Sequence, residues 1–417
     1  MIARGCVRAV RGALVEIEIP ALAIGCGVRI ETRSGHVIGE IAAFERGRAL
    51  VAPHAGTDGI ASGDAVREDL RAMHASLGMA ALGRAFGANC AALDGGPRLR
   101  GPMRALGVAA PPPDARAPIT EPFWSGVKAI DALATLGRGA RIGIFGVPGA
   151  GKSTLVESIV AGARADAVVV GLVGERGREA HEWIERLDRR CTLVCATSDR
   201  APSERVRAAA LALAQARALA ARGLHVLLVL DSLARYAAAL REIALAAGES
   251  VGRGGYPASV FAALARTLEG AGAFTHGSVT LVATVLSDGD ERDPISDAAR
   301  SLLDGHLELS ASLAHAGRFP AIDPLASVSR TMARVVTAKH GAAARLARQA
   351  LAALARVADA RAVGIEPRDE GTCRALAAEA ALEALLRQGS ASVAPARTLA
   401  MLDEIADILG EADGYFD

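Results

Sequence analysis

The sequence predicts an α/β chain in three parts: a small N-terminal β-barrel over residues 1–69, a parallel-sheet core over 70–334 and an α-helical C-terminal domain over 335–417. Three patterns predict it. The first seventy residues alternate with period two, as half-buried strands do. From about Ile119, runs apolar on both faces (ARIGIF, AVVVGLV, TLVCATS, HVLLVL, SVTLVATVL, HLELS) alternate with helical stretches at 153–165, 203–222, 233–247 and 258–271. Such runs belong in a parallel sheet covered by helices. After Arg334 the sequence turns Ala- and Leu-rich with helical spacing, and no further strand is expected.

In the barrel, Val15, Ile17 and Ile19 point one way and Glu16 and Glu18 the other; Val28, Ile30 and Thr32 oppose Arg29, Glu31 and Arg33. Gly- and Pro-rich residues 70–118, with Pro111, Pro112 and Pro113, read as a connector with little regular structure of its own. A chain of 417 residues exceeds what one core usually supports, so several domains are expected. The 47 Lys and Arg balance 46 Asp and Glu, which argues against a protein that coats nucleic acid or membrane by bulk charge. No apolar run approaches the roughly 18 residues that span a bilayer. The N-terminal MIARGCVRAVRG has neither an apolar signal core nor a small-residue cleavage site, so export is not expected. The six cysteines form no CxxC pair and the histidines no HExxH, which fits free thiols in a reducing cytosol.

One loop carries the chemistry. Gly146, Val147, Pro148, Gly149, Ala150, Gly151, Lys152, Ser153 and Thr154 follow ARIGIF and open the helix STLVESIVAGA. This is the strand–loop–helix setting that the GxxxxGK[ST] phosphate loop requires. Glycines let backbone N–H groups converge with the helix N-terminus on phosphate oxygens. Lys152 would contact the β- and γ-phosphates of a nucleotide, and the Ser153 hydroxyl would ligate Mg²⁺. Only three lysines exist in the chain, Lys128, Lys152 and Lys339, so a chance match is on the order of one in several hundred.

Asp231 ends HVLLVLD, at the strand edge where ligands bind in such sheets, and is the candidate second Mg²⁺ ligand; a lone acid there is otherwise a turn or cap residue. Ser232 follows it, so the water-activating carboxylate must come from elsewhere. Glu175, after AVVVGLV in GERGRE, can orient and polarise an attacking water, and Arg176 can steady developing phosphate charge. Its competing role is a helix-start acid favoured by the macrodipole.

These blocks, taken in order, resemble the catalytic-subunit family of rotary and secretion ATPases, and within it the type III secretion ATPases of bacterial injectisomes. The resemblance covers nearly the whole chain: ITEPFWSGVKAIDALATLGRGARIGIFGVPGAGKSTL, LVGERGREAHEWI, ATSDRAPSERVRAA, LVLDSLARYAAALREIALAAGE, GGYPASVFAALARTLEGAG and TVLSDGDERDPISDAARSLLDGHLELSASLAHAGRFPAIDPLASVSRTM. It implies a RecA-like core. GERGRE resembles the secretion and flagellar branches rather than ATP synthase, which usually carries Thr after Glu-Arg. The segment from Ile322 to Arg330 looks more like injectisome than flagellar enzymes. The sequence enters the barrel almost at once, without the extension many relatives use for membrane association and ring assembly. Ala234 stands where many relatives have Thr.

The resemblance also implies two roles. Arg330 matches the family's arginine finger, which reaches the γ-phosphate of the neighbouring subunit; otherwise it is a surface arginine. Phe319 matches the aromatic that stacks on adenine; otherwise it is a core aromatic. Implied partners are the other copies of a homohexamer, a central stalk protein, a stator or regulator protein, the export gate, and chaperone–effector complexes. The implied place is the cytoplasm, peripheral to the inner membrane at the secretion apparatus. The alternatives are a flagellar protein export ATPase, a hexameric RNA or DNA translocase, and a non-enzymatic ring subunit. A nucleic-acid translocase would need aromatic platforms in its β domain, yet Phe44 is the one aromatic before Leu70.

Overall fold

A computed structural model describes residues 4–107, 109–286 and 293–410. The stretch 287–292 inside the last family-like block lies outside the described residues. The chain divides into two compact units, one built from segments within 4–116, 166–285 and 293–302, the other from 117–165 and 303–410.

In the first unit, Arg4–Arg11, Leu14–Glu18, Arg48–Pro53, Gly35–Glu45, Gly27–Thr32 and Ala65–Glu68 close in that order into a barrel. Closure removes the sheet edges that would otherwise invite pairing with other chains. Val15, Ile17, Val28 and Ile30 fill its interior with no exposed surface, as the alternation requires. Glu16 departs from it: only 4% exposed, its carboxylate is gripped by Arg11 at 2.7 Å and by Arg48. Two arginines offset the desolvation of that charge. Leu14, Leu50 and Ala52, on the outside of the barrel, pack with Ile243, Ala246 and Ala247.

The same unit carries five parallel strands in the order Arg84–Gly87, Cys191–Thr197, Ala167–Glu175, His225–Asp231, Ser278–Leu286. The Ala167–Glu175 strand is buried at all nine positions, which explains its unbroken apolar run. The 70–118 segment is therefore more than a connector, because its Arg84–Gly87 piece extends this sheet. A four-residue strand amid glycines leaves too short a period to read. Helices Pro202–Ala220, Leu233–Ala246 and Ala258–Glu269 fall where the sequence spacing put them, and Gly177–Glu185 is a further helix that the spacing did not mark.

In the second unit, Arg141–Gly146 pairs parallel with Gly305–Leu309, which pairs antiparallel with Ile322–Ser329. The antiparallel strand was hidden in the sequence by its exposed and polar positions. The Lys152–Gly162 helix follows the phosphate loop. Beyond residue 334 the structure is helical: Ala338–Ala362, Glu370–Ala377, Glu379–Leu386 and Pro395–Gly410. Ala343, Ala347 and Ala350 form a buried seam on the long helix. Their small side chains allow close approach to Pro395–Gly410, which buries Leu402, Ile405 and Leu409. Among the described residues, no helix is long and apolar enough to cross a membrane.

Candidate active site

The phosphate loop owes its shape to glycine. Gly149 and Gly151 take φ of 83° and 90°, left-handed values that strain any side-chain-bearing residue. Gly151 is the N-cap of the Lys152–Gly162 helix and offers no side-chain cap, so the first-turn amides of this helix keep their donors for a ligand. Lys152 folds back, its Nζ donating to the carbonyls of Gly146 at 2.6 Å and Val147 at 2.9 Å. Ser153 and Thr154 are exposed.

Beside the loop lies a largely apolar slot of about 160 Å³, lined by Val127, Gly151, Thr154, Leu155, Phe319 and Gln388 among others. Phe319 is 46% exposed, and a Cβ placed on Gly151 would lie 3.8 Å from its ring. A flat, half-open aromatic wall next to a phosphate loop suits a purine base. Gln388 comes from the helical C-terminal region, which sequence reasoning kept apart from the nucleotide. Its backbone N–H donates to the Phe319 carbonyl at 2.9 Å, and its side chain accepts from the Lys128 amide at 2.8 Å and donates to the Gly126 carbonyl at 2.8 Å. No local signal marked Gln388 for this slot, since Phe319, Lys128 and Gly126 lie more than 60 residues away in sequence.

The carboxylates come together in the first unit. Glu175 and Asp231 end neighbouring parallel strands. Glu175 is 6% exposed, and Arg235 Nη1 lies 3.0 Å from its Oε2. Burial, and next the charge of Asp231, raise the Glu175 carboxyl to about 8, while Arg235 opposes the rise. Asp231 accepts a hydrogen bond from the buried Thr284 hydroxyl. Arg235 also donates to the Gly174 carbonyl. Gly174, at φ 76°, makes that approach possible, since a Cβ there would come within 3.1 Å of the Arg235 side chain. Sequence reasoning missed Arg235 and Thr284. Arg235 sits one turn into a helix that Ser232 caps by accepting from the Arg235 amide at 3.3 Å, and that cap explains why a serine follows Asp231. Thr284, a hydroxyl two residues from the end of a mostly apolar strand, was the available signal.

Arg176 is exposed and precedes the Gly177–Glu185 helix; among the described residues it forms no ion pair. Arg330, directly after the Ile322–Ser329 strand, is likewise exposed, with Nη1 3.4 Å from the Leu303 carbonyl and no ion pair among the described residues. Ser153 and Asp231 supply hydroxyl and carboxylate oxygens, the hard donors that Mg²⁺ takes.

Comparison with known proteins agrees with this chemistry. The ATP synthase alpha/beta family, nucleotide-binding domain, matches residues 126–329. The type 3 secretion system ATPase of Sinorhizobium fredii is 42% identical over 404 residues, covering 94% of this chain and 89% of that protein. The flagellum-specific ATP synthase of Treponema pallidum is 41% identical, covering 93% and 89%. The structure of the assembled ATPase EscN from the enteropathogenic E. coli type III secretion system superposes with a TM-score of 0.90 at 35% identity, covering 96% of this chain and 99% of that one. The barrel, the parallel core and the helical tail are thus those of a RecA-like rotary-type ATPase. The chain belongs to the family of type 3 secretion system and flagellum-specific ATPases, and it is an ATP hydrolase.

Proposed function

We propose that the chain works as one subunit of a homohexameric ring whose ATP hydrolysis energises type III protein secretion. The observation that carries this reading is the Glu175 carboxyl, buried at a strand end, braced by Arg235 and facing Asp231. A carboxylate kept for structure has no need of a second acid beside it. One held for proton chemistry gains a higher affinity for the proton it must take up.

In this reading the backbone amides of 146–154 and Lys152 bind the triphosphate, and Phe319 stacks on adenine. Glu175 orients the attacking water, and Arg176 steadies phosphate charge. Ser153 and Asp231 would hold Mg²⁺, which when bound supplies neutralisation of phosphate charge. Arg330, exposed and without an ion pair among the described residues, is offered to the nucleotide of the adjoining copy. Fingers supplied in trans are worth about 10³ to 10⁵ in rate, so an isolated subunit hydrolyses ATP poorly. The parts of the chain work as a barrel (1–69), an ATPase core (70–334) and a helical domain (335–417).

EscN has also been solved in complex with its central stalk EscO, and that structure superposes with a TM-score of 0.87. This supports a central stalk protein as partner here. A stator or regulator protein, the export gate and chaperone–effector complexes complete the set, at the cytoplasmic side of the inner membrane. The export of flagellar proteins is the second reading, favoured by the Treponema pallidum likeness.

The test is subunit complementation. Arg330→Ala protein and Lys152→Ala protein, each nearly inactive, should regain part of the ATPase activity when mixed, because some interfaces then pair an intact loop with an intact arginine. Absence of any rescue would mean that Arg330 acts within its own chain or not at all. Specific activity should also climb steeply with protein concentration; a flat dependence argues against a shared site.

A further inference from the structure

The first unit holds a second cavity, of about 570 Å³, that hydrolysis leaves unused. Its walls come from the barrel, from the segment after it and from the Pro202–Ala220 helix, and four of its lining residues are arginines: Arg29, Arg71, Arg98 and Arg207. Among the described residues, Asp69 is the one carboxylate in the lining, and it is taken by Arg29 at 3.3 Å. Arg71 and Arg98 are exposed and form no ion pair among the described residues.

Arg207 is the telling residue. It is 9% exposed, its Nε donates to the Ala88 carbonyl at 2.9 Å, and its Nη1 is buried with no hydrogen-bond partner. A buried guanidinium N–H left without an acceptor is rare enough to call for an explanation. Glu40 faces Arg207 without forming an ion pair within 4 Å, and burial holds the Glu40 carboxyl above its usual range. Cys90, also in the lining, has its thiol pushed up by burial and so adds no thiolate. The ring of His54 is kept neutral by burial and by the Arg207 charge, and the Nδ1 of His74 is a second buried atom without a partner. Among the described residues, the cavity therefore presents three guanidiniums with no carboxylate ion pair within 4 Å, lining a space of small-ligand size.

Arginine forks match phosphate oxygens in geometry, and a dianionic phosphate is the common anion that draws several of them together. We infer that this cavity binds a small soluble molecule carrying a phosphate group, held by Arg71, Arg98 and Arg207. The site is separate from the phosphate loop and needs neither Lys152 nor Glu175, so it stands whether or not the ring-ATPase reading holds.

The full chain carrying Lys152→Ala, which weakens phosphate capture at the loop, is titrated calorimetrically with pyrophosphate and, in a separate arm, with phosphatidic acid vesicles. One saturable pyrophosphate site is expected, at least tenfold weaker when Arg71→Ala and Arg98→Ala are added; both are surface changes that leave the core intact. Pyrophosphate should also slow alkylation of Cys90 by iodoacetamide while sparing Cys373, which is exposed and is not part of the lining. Arg207→Gln should remove the protection of Cys90. No saturable pyrophosphate binding, an affinity unchanged by the double substitution, an unprotected Cys90, or binding to vesicles alone would each overturn the inference.

Discussion

Two buried glutamates, Glu16 in the barrel and Glu175 at the end of a core strand, have nearly equal exposure, 4% and 6%, and opposite electrostatics. Glu16 is clasped by Arg48 and Arg11, and the hydrogen bond from Arg48 holds its carboxyl below the ordinary range. Glu175 has one arginine against it and an aspartate nearby, so burial and like charge carry it the other way. Burial alone therefore does not mark a catalytic carboxylate. The balance of partners does: a carboxylate with surplus positive charge is fixed as an anion, whereas one short of positive charge is left able to exchange a proton near neutrality.

Replacing each glutamate is the most forceful way to break this contrast. Glu175→Gln should cut kcat by about 10² to 10⁴, the usual worth of a positioned acid–base group, while ATP still binds, as read by nucleotide titration. Loss of binding along with turnover would make Glu175 a structural residue like Glu16. A smaller effect is expected at Arg235→Ala. Removing the positive charge that opposes the rise at Glu175 raises that carboxyl further. The ionised form then appears only at higher pH, and the acid limb of the kcat profile moves upward by about one unit. A limb that stays in place would show that Arg235 does not tune the group. The smallest effect on chemistry belongs to Glu16→Gln, which should lower the melting temperature and leave kcat unchanged. Because the Glu16 carboxyl is depressed in the folded chain, its contribution to stability is present above the ordinary glutamate range. That contribution is lost as pH falls through the lowered folded value, so the difference in melting temperature between Glu16→Gln and the parent chain should vanish in acid.

The same contrast shows what could be read before the fold was known. The phosphate loop is contiguous, and its glycines and lysine announce themselves within nine residues. Glu175 and Asp231 were legible because each ends an apolar run, and strand ends in a parallel sheet share one edge. Arg235, Thr284 and Gln388 were not. Arg235 reaches Glu175 only after the helix following Asp231 turns back toward Gly174. Thr284 meets Asp231 through strand pairing, and Gln388 arrives at Phe319 from the far end of the chain. The burial of Glu16 was not legible for the related reason that period-two alternation sorts residues by face and is blind to two arginines covering the outer one.

The most direct measurement is a carboxyl ¹³C titration of the intact chain labelled at glutamate, with Glu16 and Glu175 assigned by their Gln variants. The account predicts that Glu16 titrates below the ordinary glutamate range and Glu175 far above it, near 8. Finding both carboxyls at ordinary values would contradict it.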